Sequence, residues 1–276
     1  MNIAILSGKG GTGKTTVAVN LAQILQANYI DCDVEEPNGF IFLKPTVQKS
    51  EQVKVKYPVI DKDRCNLCGK CVQVCQFNAL FNSGKGILTL EKLCHSCEAC
   101  GIVCKEEAIQ FADREIGSIE EGQSANLKCF RGILNVGEPM AVPVIKQLLA
   151  AAPAGLNLLD CPPGTSCNAV SALQYADAAV LVTEPSVFGF HDLKMAIKLV
   201  QGFNLPFGIV LNKWSPEGSS YKEYLDKENI KILGFIPNTR EIAEEYSKGN
   251  TLNEIPEINK VFSDIAREIT EVFKCN

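Results

Sequence analysis

Residues 8–15, Gly8-Lys9-Gly10-Gly11-Thr12-Gly13-Lys14-Thr15, fit the pattern G-x-x-x-x-G-K-[ST] between an apolar run at residues 1–7 and a helix-like stretch at residues 14–25. Few short patterns restrict a fold so strongly, because this loop works only between a strand and a helix N-terminus. Its glycines let backbone N–H groups curl around a phosphate, and the helix end adds a favourable dipole. Lys14 is placed to reach β- and γ-phosphates, and the Thr15 hydroxyl to ligate Mg²⁺.

Most of the remaining chain alternates short apolar runs with helical patterns. Strands are expected at residues 29–33, 156–160, 178–183, 207–211 and 232–236, with helices near 140–150, 168–175, 191–202, 219–227 and 239–248. Such alternation implies right-handed βαβ crossovers, hence an α/β fold with a mainly parallel sheet covered by helices on both faces. A last helix carries Ile258, Val261, Phe262, Ile265, Ile269, Val272 and Phe273 at 3.6-residue spacing. Residues 238–276 hold 5 basic and 8 acidic side chains, whereas interfacial membrane helices favour Lys and Arg, so this helix is expected on the sheet. The net charge of −5, with no basic stripe, argues against nucleic acid. The N-terminus carries no basic region of a secretory signal, so a cytoplasmic protein with no membrane anchor is expected.

The α/β pattern breaks between residues 59 and 112. Eight of the 13 cysteines lie there, and Cys65, Cys68, Cys71 and Cys75 recur 29 residues later as Cys94, Cys97, Cys100 and Cys104. Without an export signal, clustered cysteines point to metal or redox chemistry rather than disulfides. The doubled spacing C-x2-C-x2-C-x3-C resembles that of bacterial two-cluster ferredoxins, in which the fourth Cys of each run serves the other cluster. The resemblance assigns Cys65, Cys68, Cys71 and Cys104 to one [4Fe–4S] cluster and Cys94, Cys97, Cys100 and Cys75 to a second. In place of the proline that usually follows each fourth Cys stand Gln76 and Lys105. The expected division is a discontinuous P-loop domain, residues 1–58 and 113–276, with a small α+β ferredoxin-like domain inserted at residues 59–112.

The second lysine, Lys9, makes the loop resemble the deviant Walker A of the MinD/ParA/nitrogenase-iron-protein class of ATPases. That resemblance implies an ATP-dependent homodimer in which Lys9 reaches the partner's phosphates. Asp31-Cys32-Asp33 is similar to the first switch, so Asp33 would orient the attacking water. Asp160-Cys161-Pro162-Pro163-Gly164-Thr165 resembles the second switch, with Asp160 on a Mg²⁺-bound water and the Gly164 N–H toward the γ-phosphate. Asn212 would read adenine and Pro237 would close over the base. Thr16 is expected with Gly8, Gly10, Gly11, Thr12, Gly13, Lys14 and Thr15 among the residues that bind ATP or ADP.

The resemblance as a whole implies a Mg-ATPase whose nucleotide state gates electron transfer through two [4Fe–4S] clusters to a redox partner. The alternative is an ATP-dependent iron–sulfur carrier or scaffold. Such carriers hold a labile cluster with a C-x2-C late in the domain, where this chain has only Cys275. The two clusters would also give the insert, with its 6 basic and 6 acidic residues between Asp61 and Ala112, a net negative charge. Cys167 lies where the nitrogenase iron protein has a ligand for a dimer-bridging cluster, with Cys129 as a candidate counterpart. His95 and His191 are expected at the surface.

Overall fold

The computed structural model describes residues 1–215 and 219–275. Among these, nine strands form one sheet in the order β11-β10-β9-β1-β8-β2-β7-β6-β3. Its centre is made by β1 (Asn2–Leu6), β8 (Asn157–Asp160) and β9 (Ala178–Thr183), continued by β10 (Phe207–Trp214) and β11 (Ile232–Pro237) on one side. On the other side lie β2 (Asn28–Asp31) and β7 (Leu127–Leu134). All these neighbours pair in parallel. Every residue of β8 and β9 is buried, as central parallel strands covered on both faces must be.

One face packs Leu6, Ile30, Leu159, Leu148 and Val200; the other packs Ile5, Tyr29, Leu158, Val180 and Phe262. The expected last helix, α10 (Pro256–Phe273), lays Ile258, Phe262, Ile265, Ile269 and Phe273 into that second face. No helix among the described residues is long and apolar enough to cross a membrane.

The polar edge of the sheet differs from the expected pattern. Two long strands, β3 (Thr46–Ile60) and β6 (Ile109–Ser124), pair antiparallel along their length, and β6 pairs with β7 only from Gly117 onward. The remainder is a two-stranded ribbon that leaves the sheet and carries residues 61–108. Both composition-based boundaries fall inside this ladder, where Pro58 faces Phe111 and Tyr57 faces Ala112. Strand β3 begins with seven exposed residues, so it has no apolar run by which to recognise it.

Within residues 61–108, two short helices, α3 (Lys70–Val74) and α4 (Ala99–Ile102), and a hairpin of β4 (Leu80–Asn82) and β5 (Ile87–Thr89) enclose a small core of Cys71, Leu80, Ile87 and Cys100. The 29-residue sequence repeat is also a conformational repeat. Left-handed backbone at Leu67, Gly69 and Asn78 recurs at Ser96, Glu98 and Glu107. Such turns aim consecutive amides into a concavity that suits an anion.

Candidate functional site

The loop after β1 enters α1 (Lys14–Leu25) through Gly13, whose φ of +89° is left-handed. A Cβ there would lie 2.0 Å from Asn212 Nδ2, which donates to the Thr12 carbonyl at 2.8 Å, so both backbone and space demand glycine. Two adjoining cavities open on the loop. One, of about 180 Å³, is lined by Gly10, Gly11, Lys14, Thr15, Thr16 and Asp33. The other, of about 280 Å³, shares Gly11, Gly13 and Thr16 with it and adds Asn212, Pro237 and Ile242. Tyr246 lines both. The expected phosphate-side and base-side residues thus meet around one continuous depression. The Thr12 hydroxyl is buried without a hydrogen-bond partner, and Gly10 has nothing within 4 Å of where a side chain would be, so the loop fits an anionic ligand.

Lys14 Nζ stands 3.3 Å from Asp160 Oδ1, both buried. Burial pulls the Lys14 ammonium down, but Asp160, Asp33 and Asp31 outweigh it and hold its pKa above the ordinary value. The Tyr29 hydroxyl lies 2.9 Å from Asp160 Oδ2 and 3.1 Å from Asp31 Oδ2. One hydroxyl hydrogen cannot serve two carboxylates. Burial, then repulsion from Asp160, push Asp31 up to about 8, so its retained proton completes the triad. Burial also raises Asp33, to about 6, against the pull of Lys14.

Three expected residues have partners within the chain. Lys9 Nζ binds Glu184 Oε1 of its own chain at 2.6 Å. Lys213 Nζ binds Glu184 Oε2 at 3.0 Å and the Gly11 carbonyl at 2.8 Å. Although burial pushes Glu184 up, hydrogen bonds from Lys9 and Lys213 draw it down to about 2. The Gly164 N–H, expected toward a phosphate, donates to the Ser7 carbonyl at 2.9 Å. Asn212 spends an amide hydrogen on Thr12. Tyr29, Glu184 and Tyr246 join the site from outside the motifs. Only Glu184, directly after β9, carried a signal, since strand C-terminal ends are where such sheets place sites.

The eight clustered cysteines separate into two sets. Cys65, Cys68, Cys71 and Cys104 line one cavity of about 80 Å³, and Cys75, Cys94, Cys97 and Cys100 line another of about 20 Å³. Each set takes three cysteines from one repeat and one from the other. Four thiols lining one cavity, three from one repeat and one from the other, are the donor set that the doubled ferredoxin spacing implies for an iron–sulfur cluster. The Ala79 and Ala108 N–H groups donate to Cys75 and Cys104 Sγ at 3.4 and 3.3 Å, again 29 residues apart.

The repeats diverge at one contact. Phe77 stacks on His95 at 3.8 Å beside the second set. The corresponding residues beside the first set are Glu106 and Asn66, joined by a hydrogen bond of 3.1 Å. Of the other cysteines, Cys167 is exposed at the start of α6 (Cys167–Leu173), whereas Cys129 is fully buried within β7. Cys129 is therefore no counterpart to Cys167 for a surface cluster, because a strand side chain inside the core cannot meet one outside it. His191 is exposed, as expected.

The sequence profile of the CobQ/CobB/MinD/ParA nucleotide binding domain matches residues 3–252. An uncharacterized protein of Methanocaldococcus jannaschii is 32% identical over 98% of this chain and 97% of its own length. An iron–sulfur cluster carrier protein of Aquifex aeolicus is 27% identical over 98% of this chain and 67% of its own. Among solved structures, the septum site-determining protein MinD of Pyrococcus horikoshii, complexed with Mg-ADP, superposes with a TM-score of 0.59 at 19% identity, covering 97% of this chain and 95% of the other.

Proposed function

Because the chain belongs to the CobQ/CobB/MinD/ParA nucleotide-binding family, we propose that it is a P-loop ATPase with two resident [4Fe–4S] sites in an inserted ferredoxin-like module, residues 59–112, whose surroundings change with the nucleotide state. Lys14, Thr12 and the loop amides hold the phosphates, and Thr15 and Asp160 serve Mg²⁺. Asp33 orients the attacking water. Asn212, through its remaining amide hydrogen and oxygen, and Pro237 hold the base. Lys9 leaves Glu184 to reach the phosphates of a second copy. Each cluster, when bound, supplies one-electron transfer to a partner protein.

The observation that carries this reading is the division of eight cysteines into two complete sets of four. Both sets sit on a ribbon that is hydrogen-bonded into the sheet bearing the P-loop. Thiols drawn from within one chain, two of every eight exchanged between repeats, suit clusters that stay. A second reading, an ATP-dependent iron–sulfur carrier, is favoured by relatives that bear that name. Mixing the anaerobic iron-loaded protein with an apo-ferredoxin acceptor, under ADP and under a non-hydrolysable ATP analogue, separates the two. Resident clusters stay on the chain and a partner is retained in one nucleotide state only; iron appearing on the acceptor supports the carrier.

A further inference from the structure

Residues 134–138, the end of β7 and the loop after it, join the segment beside Asp33 to β6, the strand that leads out of the cysteine module. The Leu134 N–H donates to the Val34 carbonyl at 2.8 Å, one residue beyond Asp33. Val34 is buried in the space left by Gly132, where a Cβ would come within 2.6 Å of its Cγ1. These two segments therefore interlock and cannot slide freely. Next, the Asn135 N–H donates to the Ile116 carbonyl on β6 at 2.9 Å. The loop then closes with Glu138 paired to Arg114, on the same strand, their side chains 7% and 11% exposed.

That pair is incompletely satisfied. Arg114 Nε and Nη2 and Glu138 Oε2 are buried and have no hydrogen-bond partner. Groups left so cost free energy, and a native fold keeps few without a reason. Arg114 stands opposite Val55 in the ribbon ladder, beside Lys56. The Lys56 carbonyl accepts from the Cys94 thiol at 3.9 Å, and its N–H donates to Ser96 Oγ at 2.8 Å. Arg114 is thus one ladder position from the residue that contacts Cys94 and Ser96, and the field of its guanidinium reaches Cys94. The first set meets the ribbon at its far end, where the paired Ile60 and Ile109 line the cavity, whereas Phe111, nearer to Arg114 on the same strand, lines the second.

We propose that the Arg114–Glu138 pair is the positioning joint between residues 33–34 and the second cysteine site, so that a nucleotide-dependent shift at Asp33 and Val34 changes the surroundings of the Cys94 cluster and not those of the Cys65 cluster. This rests on the reading of the cysteine sites as iron–sulfur centres. Leu134 and Asn135 transmit the shift, since each is hydrogen-bonded to one side of the junction. Arg114 is its endpoint. A positive charge and N–H donors near a cluster raise its potential, so a displaced Arg114 changes that potential.

The test is an EPR-monitored redox titration of the anaerobically loaded protein with ADP and with a non-hydrolysable ATP analogue. In the parent, the signal lost in Cys94→Ser changes potential between the two nucleotides, and the signal lost in Cys65→Ser does not. Arg114→Met, with full iron and unaltered ATP affinity, gives one potential in both nucleotides; Arg114→Lys keeps part of the shift. Should Arg114→Met fail to fold, Glu138→Gln is judged by the same criterion. A shift that survives in Arg114→Met or that falls on the other cluster overturns the joint alone; no shift in a parent carrying eight iron atoms overturns the joint and the nucleotide coupling, and leaves the iron–sulfur sites in place. A parent that takes up no iron overturns the iron–sulfur reading and the joint with it.

Discussion

The Lys9 ammonium lies 2.6 Å from Glu184 Oε1 within one chain, so the lysine assigned to a second copy is already neutralised at home. Glu184 is held near pKa 2 after Lys9 and Lys213 overcome its burial, and the pair therefore persists throughout the neutral range. Partly exposed pairs contribute ~1 kcal/mol or less. Glu184→Gln should accordingly tighten the ATP-dependent dimer about two- to fivefold, read by light scattering with ATP and Mg²⁺. Lys9→Ala should abolish that dimer while each monomer still binds ATP. Equal dimerisation by Lys9→Ala would make Lys9 an ordinary loop lysine.

Asp33 lines the phosphate-side cavity without an ion-pair partner among the described residues, apart from the field of Lys14. Asp33→Asn preserves its shape and removes its ability to take a proton. ATP binding and dimerisation should persist while hydrolysis falls ~10²-fold or more, a usual contribution of a positioned acid–base group. Loss of nucleotide binding in this variant would place Asp33 in the binding set instead.

Stability should depend on pH through Asp31. Its folded-state pKa, about 8, lies above its ordinary value of 3.8, so the folded chain binds a proton that the unfolded chain releases between those limits. The associated stability is present below about pH 4 and is lost as pH rises through about 8. The nucleotide-free protein should melt at progressively lower temperature from about pH 5 to pH 9, and Asp31→Asn should flatten that slope. An unchanged slope in the variant would assign the effect elsewhere.

The pairing of cysteines across repeats is testable by identity of loss. Cys65→Ser and Cys104→Ser should remove the same cluster signal, as should Cys94→Ser and Cys75→Ser, each leaving about four of eight iron atoms. If Cys104→Ser instead matched Cys94→Ser, the sets would follow the repeats rather than cross them.

The two sites should also differ in lability. The first cavity is the larger, about 80 against 20 Å³, and its rim pair is the polar Asn66–Glu106 rather than the stacked Phe77–His95. Water reaches a polar rim more readily, so chelators should strip the Cys65 site first. Phe77→Glu should bring the second site to a similar rate, followed by absorbance of the iron–chelator complex.

What was legible beforehand follows from local rules. The strand–loop–helix around Gly13 and Lys14, the buried runs of β8 and β9 and the stripe from Ile258 to Phe273 are each written in spacing or continuous apolarity. The grouping of Cys104 with Cys65 came from resemblance to doubled ferredoxin spacing, and the fold brings those two to one cavity. The strands β3 and β6 lie outside the expected pattern, because β3 opens with seven exposed residues and carries only the short alternation at residues 53–57, and a single face of the pair buries Val53, Val55 and Ile116. Cys129 is no partner for Cys167 for a related reason: spacing along the chain does not say which side chains of a strand the packed helices bury.

The contacts that join distant segments were decided only by the tertiary structure. Glu184 reaches Lys9 across 175 residues, Tyr29 reaches Asp160 across 131, and Arg114 meets Glu138 where a ribbon and a loop converge. A motif records residues that one short stretch of backbone must bring together. These pairs depend instead on strand order, on which β8 lies between β1 and β2, and on a ladder whose register sets Arg114 beside Lys56. Strand order and register are properties of the whole packed sheet, because each is set by every neighbour at once and by no single segment.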